Sequence, residues 1–130
     1  MKYLLDVNAL VAFGMLPHQF HGRVVAWLKA EYHPALLTCS ITELGFVRVL
    51  AQASTYGYTV PEAQTLLLQL KRNTIVPVDF VPDANDISRL PGWVKTPKQT
   101  TDGHLVALAV AHGAVLATLD GGIPGAYRIP

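Results

Sequence analysis

Apolar residues in this chain fall into short runs that stop at a polar or acidic residue, and most runs are followed by apolar positions at helical spacing. Residues 2–5 form the first run, closed by Asp6, and residues 7–16 continue at mixed helical spacing until Pro17 halts them. A second helix is predicted over 20–32, where Val24, Val25, Trp27 and Leu28 share one face. Residues 36–39 then read as a short buried strand. Helices open next at Ser40 and Thr59, each in an S/T-x-x-E pattern that closes on Glu43 or Glu62, the signature of a capping box. The first carries Leu44, Val47, Leu50 and Ala51 on one face; the second carries Leu66, Leu67, Leu68 and Leu70, a broader stripe than a single core contact needs.

Residues 75–78 predict a strand that Pro77 pushes towards a sheet edge, and residues 83–90 a short helix. Residues 91–99 hold two prolines, a glycine, Trp93, Lys95 and Lys98, which is a loop composition. A helix over 102–112 is stopped by Gly113, a strand over 114–119 ends at Asp120, Gly121 and Gly122 turn the chain, and 126–129 predict a last strand. Strands that alternate with helices predict an α/β fold with a parallel sheet. Right-handed crossovers then bring the carboxyl ends of the first, second and fourth strands to one edge, where ligands bind in such sheets.

Length and composition narrow the picture. The 130 residues suit one domain, spanning 1–130. Formal net charge is +1, so affinity for nucleic acid must come from local clusters. Charged residues make up 15%, below the roughly 25% of soluble domains, so some apolar surface is expected to meet a partner. Cys39 is the only cysteine, which precludes an intrachain disulfide and fits a cytoplasmic location. Neither a signal peptide nor a membrane span is expected, since the longest apolar stretch, 105–119, is broken by His112 and Gly113.

Asp6, Glu43, Asp102 and Asp120 are the acids that stand where apolar runs stop. Singly, each has an ordinary explanation. Glu43 can complete the capping box of Ser40, Asp102 suits a first helical turn capped by Thr100 or Thr101, Asp120 suits a glycine turn, and Asp6 can cap the first helix with Asn8 assisting. Together they would place four negative charges on one sheet edge, with no basic residue adjacent in sequence to neutralise them. Such carboxylates repel one another, and a hard divalent cation removes that penalty. The other five acids need no such reading: Glu31 lies late in a helix, Glu62 fits its own capping box, and Asp79, Asp83 and Asp86 lie in a polar, proline-punctuated stretch. His18, His21, His33, His104 and His112 show no metal-ligand spacing.

Leu4-Leu5-Asp6-Val7-Asn8, Thr42-Glu43-Leu44-Gly45-Phe46-Val47-Arg48, Thr101-Asp102 with residues 105–109, and Ala117-Thr118-Leu119-Asp120 together resemble the PIN-domain family, and more narrowly the VapC-type ribonuclease toxins. The resemblance covers essentially the whole chain. It implies a three-layer α/β/α fold around a central parallel sheet. It also implies Mg²⁺- or Mn²⁺-dependent endonucleolytic cleavage of RNA, inhibition by a cognate antitoxin protein, and often a homodimer. Asp6, Glu43, Asp102 and Asp120 fall on the family's acidic positions, Asn8 and Thr118 on polar positions that support the site. His104 stands where relatives often carry an aromatic residue.

Activation of water rather than of the ribose 2′-hydroxyl would leave a 5′-phosphate and a 3′-hydroxyl. Asp6 and Asp102 are expected to be the principal ligands, with Glu43 and Asp120 acting through water or a second metal. Candidate RNA contacts are Arg48, Lys95, Lys98, Trp93 as a base-stacking platform, and His104. Two rivals are a haloacid-dehalogenase-like phosphatase, which needs a second acid where this chain has Asn8, and a non-catalytic RNA-binding protein.

Overall fold

In the computed structural model, which describes residues 1–72 and 74–130, the chain runs β1 (Lys2–Leu5), α1 (Val7–Gly14), α2 (His21–Ala30), β2 (Ala35–Thr38), α3 (Ser40–Gln52), α4 (Val60–Arg72), β3 (Val78–Phe80), α5 (Thr100–Ala111), β4 (Val115–Thr118) and β5 (Tyr127–Arg128). The strands pair in the order β3-β2-β1-β4-β5, and every pairing is parallel. Connections from β1 run first to β2 on one side and later return to β4 on the other. The crevice between β1 and β4 is therefore the point where strand order reverses, the usual binding position in an open α/β sheet.

Period-two alternation sorts the strands into two cores. Tyr3, Leu5, Leu36 and Ala117 face a cluster built by α1 to α4, with Leu10, Val24, Trp27, Phe46, Leu50 and Leu67 buried in it. Leu4, Leu37 and Leu116 face the opposite way, onto Leu105, Leu108 and Ala109 of α5. Helices thus cover both faces, and β1, apolar on both, reads as a continuous run because it has no solvent side.

Several boundaries differ from the sequence expectation for identifiable reasons. β3 begins at Val78, beyond the predicted 75–78, because Pro77 has no N–H to pair; only its carbonyl joins the ladder, accepting the Leu36 N–H at 2.8 Å. It does form a sheet edge. The helix predicted over 83–90 is reduced to a 3-10 turn at Ile87–Arg89, because Asp83 and Asp86 accept the Asn85 and Ser88 backbone N–H groups, both at 2.9 Å, and hold the chain in local turns.

A second 3-10 turn, Pro97–Gln99, leads into α5, which starts at Thr100 without a threonine cap. The Thr100 hydroxyl instead donates to the Pro97 carbonyl at 2.8 Å. Thr59 and Glu62 form the expected capping box, exchanging hydrogen bonds at 2.9 and 3.2 Å. Ser40 and Glu43 do not: α3 is capped one residue earlier, where the Cys39 N–H donates to Thr42 Oγ1 at 3.0 Å and the Thr42 hydroxyl donates back to the Cys39 carbonyl at 3.1 Å. Cys39 is fully buried there.

Candidate active site

Asp6 follows β1 directly. Its N–H extends the ladder to the Ala117 carbonyl at 3.1 Å, and its Oδ1 accepts the Ala9 N–H at 2.8 Å, capping α1. The structural role expected of it is real, and it leaves the carboxyl fixed and only 6% exposed. Thr118 closes the neighbouring strand β4. Its Oγ1 is buried and accepts the Asp120 N–H at 3.0 Å, and the hydroxyl favours the ionised form of the Asp6 carboxyl. One threonine thereby bears on both acids. Asp102 is half-buried in the first turn of α5, and Asp120 is exposed in the turn after β4.

Electrostatics set Asp6 and Asp102 apart. Burial pushes the Asp6 carboxyl above its ordinary value; the Thr118 and Ala9 hydrogen bonds oppose the rise, and the charges of Asp120 and Asp102 add to it. Asp102 is raised by burial and then by Asp120. Three of the acids read as structural move the other way. Glu62 is lowered by its Thr59 bonds and Asp86 by Ser88. Asp83 is lowered overall because its bonds to His104 and Asn85 and the histidine charges outweigh its burial. Among the described residues no basic side chain forms an ion pair with Asp6, Asp102 or Asp120.

Glu43 stands apart. Its Oε2 accepts the Thr38 hydroxyl and the Lys71 ammonium, both at 2.6 Å. The absence of a basic neighbour in sequence is thus corrected in space, since α4 carries Lys71 across to Glu43. Thr38 and Lys71 are partners of the candidate acid Glu43 that motif spacing alone does not single out. Thr38 had a visible signal: like Thr118 it is the polar last residue of an apolar strand, and both are buried. Lys71 had none, because its role depends on how α4 crosses α3.

The remaining candidates scatter. Asn8 is exposed and lines a depression of about 390 Å³ with Asp120, His18, Phe20 and two cations absent from the sequence-based candidates, Arg23 and Arg128. Arg48, Lys95 and Lys98 are exposed. Trp93 is half-buried against the α5 core. His104 Nε2 pairs with Asp83 Oδ2, so an acid expected to be merely local anchors the histidine beside Asp102. The stripe from Leu66 to Leu70 is largely absorbed by the fold: Leu67 is buried, Leu66 and Leu70 pack on the core, and only Leu68 remains exposed. Leu68 joins Leu44, Val47, Val60 and Phe80 in lining an open groove of about 500 Å³ beside Glu43.

The donor set suits a hard divalent ion. It consists of carboxylate oxygens, two of them destabilised as anions by burial and by a shared neighbour. Among the described residues no three His, Cys, Asp or Glu side chains already stand within ligand range of one point. Coulombic coupling reaches farther than coordination, and an open set of this kind fits an ion that keeps several waters.

A family model described as PIN domain matches residues 3–128. Ribonuclease VapC44 of Mycobacterium tuberculosis is 34% identical over 139 residues, spanning 98% of this chain and 96% of its own. Ribonuclease VapC38 of the same organism is 35% identical, over 92% of this chain and 86% of its own. In structure, Mycobacterium tuberculosis VapC20, described as a sarcin-ricin loop cleaving toxin, superposes with a TM-score of 0.62 at 15% identity, over 93% of this chain and 92% of that one. VapBC2 of Rickettsia felis, solved on a DNA fragment from its promoter, gives 0.60 at 15% identity, over 98% and 97%. These structural likenesses establish the three-layer fold.

Proposed function

The chain belongs to the PIN-domain family and, within it, to the VapC ribonucleases, and on that premise we propose that it is the RNA-cleaving toxin of a toxin–antitoxin pair, hydrolysing phosphodiesters with Mg²⁺ or Mn²⁺. The observation that carries the metal reading is that Asp6 and Asp102 are raised by burial and then by the nearby charge of Asp120, without an ion-pairing base among the described residues.

Asp6 and Asp102 are the principal holders of the cation, Asp120 completes the group from the solvent side, and Glu43 contributes from across the edge. When bound, the cation supplies charge neutralisation at the scissile phosphate and a more acidic water. The chain's own part is preorganisation. The Ala9 N–H holds the Asp6 carboxylate in one orientation, so little ordering remains to be done when substrate arrives. Thr118 also fixes the backbone at Asp120, and His104, held by Asp83, lies two residues beyond Asp102 on α5. Arg128, Lys95, Lys98 and Arg48 are exposed cations available to the RNA backbone, with Trp93 and Phe20 available to bases.

A cognate antitoxin is the expected partner, and the apolar groove beside Glu43 suits an apolar segment of it; a homodimer accords with the low charge content. Incubating the purified toxin with total RNA tests the proposal. Cleavage should require Mn²⁺ or Mg²⁺, stop with EDTA, leave 5′-phosphate ends, and fall by at least about 100-fold in Asp6→Asn, beyond the loss typical of outer partners. Metal-independent cleavage leaving cyclic phosphates would overturn it.

A further inference from the structure

Lys71 lies in the last turn of α4, and its Nζ reaches Glu43 Oε2 at 2.6 Å. The pair is partly withdrawn from solvent, with side chains 19% and 24% exposed. The ammonium also stands over the Phe80 ring, 5.6 Å from its centroid, so an aromatic wall supports it. Such a pair is worth more than a freely solvated surface bridge. Thr38 donates to the same oxygen, which leaves Oε1 as the Glu43 oxygen with no protein partner among the described residues.

Resting on the metal reading above, we propose that Lys71 is a positioning residue that occupies Glu43 as an internal counter-ion. The free protein then binds its cation through Asp6, Asp102 and Asp120, and Glu43 takes part only through water at Oε1. For a cation to reach Glu43 directly, it must displace a lysine. Lys71 and the metal compete for one carboxylate, and linkage makes that competition measurable from the metal side.

Mn²⁺ titration of the full chain, with the free ion followed by electron paramagnetic resonance, reads the effect without any RNA. Lys71→Met is expected to bind Mn²⁺ at least about fivefold more tightly, the lower end of typical coupling. The double variant Lys71→Met/Glu43→Gln should lose that gain, and Lys71→Arg should return to wild-type affinity. Glu43→Gln alone should weaken binding far less than Asp6→Asn. Lys71→Gln, uncharged and polar, should match Lys71→Met, and thermal melts confirm that each variant is folded. Wild-type binding with no gain in Lys71→Met overturns the inference alone, as does a Glu43→Gln loss equal to that of Asp6→Asn. Absence of Mn²⁺ binding to the wild type overturns the metal reading and the inference with it.

Discussion

Thr38 and Thr118 end the two strands that flank β1, and each buried hydroxyl serves an acid: Thr38 donates to Glu43, and Thr118 accepts the Asp120 N–H and favours ionised Asp6. Thr118→Val keeps the shape and removes the hydroxyl, so Asp6 loses a donor that favours its ionised form and the Asp120 N–H loses its acceptor. We expect a stability cost of about 1–2 kcal/mol, read by urea denaturation, and roughly tenfold weaker Mn²⁺ binding at neutral pH. Asp6→Asn should act in the opposite sense on stability. A carboxyl raised above its ordinary 3.8 makes the folded state bind protons more tightly than the unfolded chain. Stability is therefore full below that value and is lost as pH rises through the raised one. Asparagine retains the cap acceptor without the charge. In metal-free buffer at pH 7 the variant should melt higher than the wild type, while with Mn²⁺ added it should cleave RNA at least about 100-fold less. All four acids were legible as the residues where apolar runs stop. The threonine–acid pairs were not, because they join residues across separate loops and strands.

Two helices approach their neighbours through glycine. A methyl group on Gly45 would lie 2.3 Å from Val7 Cγ2, and one on Gly103 would lie 2.2 Å from Val94 Cγ2. The first contact seats α3, with Glu43, against the start of α1; the second seats the turn of α5 that carries Asp102 against the loop before it. Gly103→Ala should cost about 1–3 kcal/mol through overpacking and lower cleavage by displacing Asp102. Adding Val94→Ala should recover most of both, in denaturation and in RNA cleavage assays. Element order followed from apolar periodicity, and α3, α4 and the edge position of β3 lay close to expectation. The misses were local contests: Asp83 and Asp86 drew backbone N–H groups into turns, and Thr42 took the capping position assigned to Ser40 and Glu43.

Across the whole molecule, strand order places the reversal between β1 and β4, so Asp6 and Asp120 share one sheet edge because the sheet is wound outward from its centre. Among the described residues no helix is long and apolar enough to cross a membrane. A cation that binds only the folded site should stabilise it by about 2.7 kcal/mol at a hundredfold excess over Kd, a rise in Tm of roughly 10 °C that Asp6→Asn should abolish. Differential scanning calorimetry with and without Mn²⁺ checks this. Cys39, fully buried between β2 and the first turn of α3, gives the same edge a clock. A thiol reagent can reach this single sulfur only when the strand end and helix start part company, so its labelling rate counts those openings in time. Added under native conditions, such a reagent should react far more slowly than with a free thiol, and the ratio of the two rates is the fraction of time that the edge carrying Glu43 stands open.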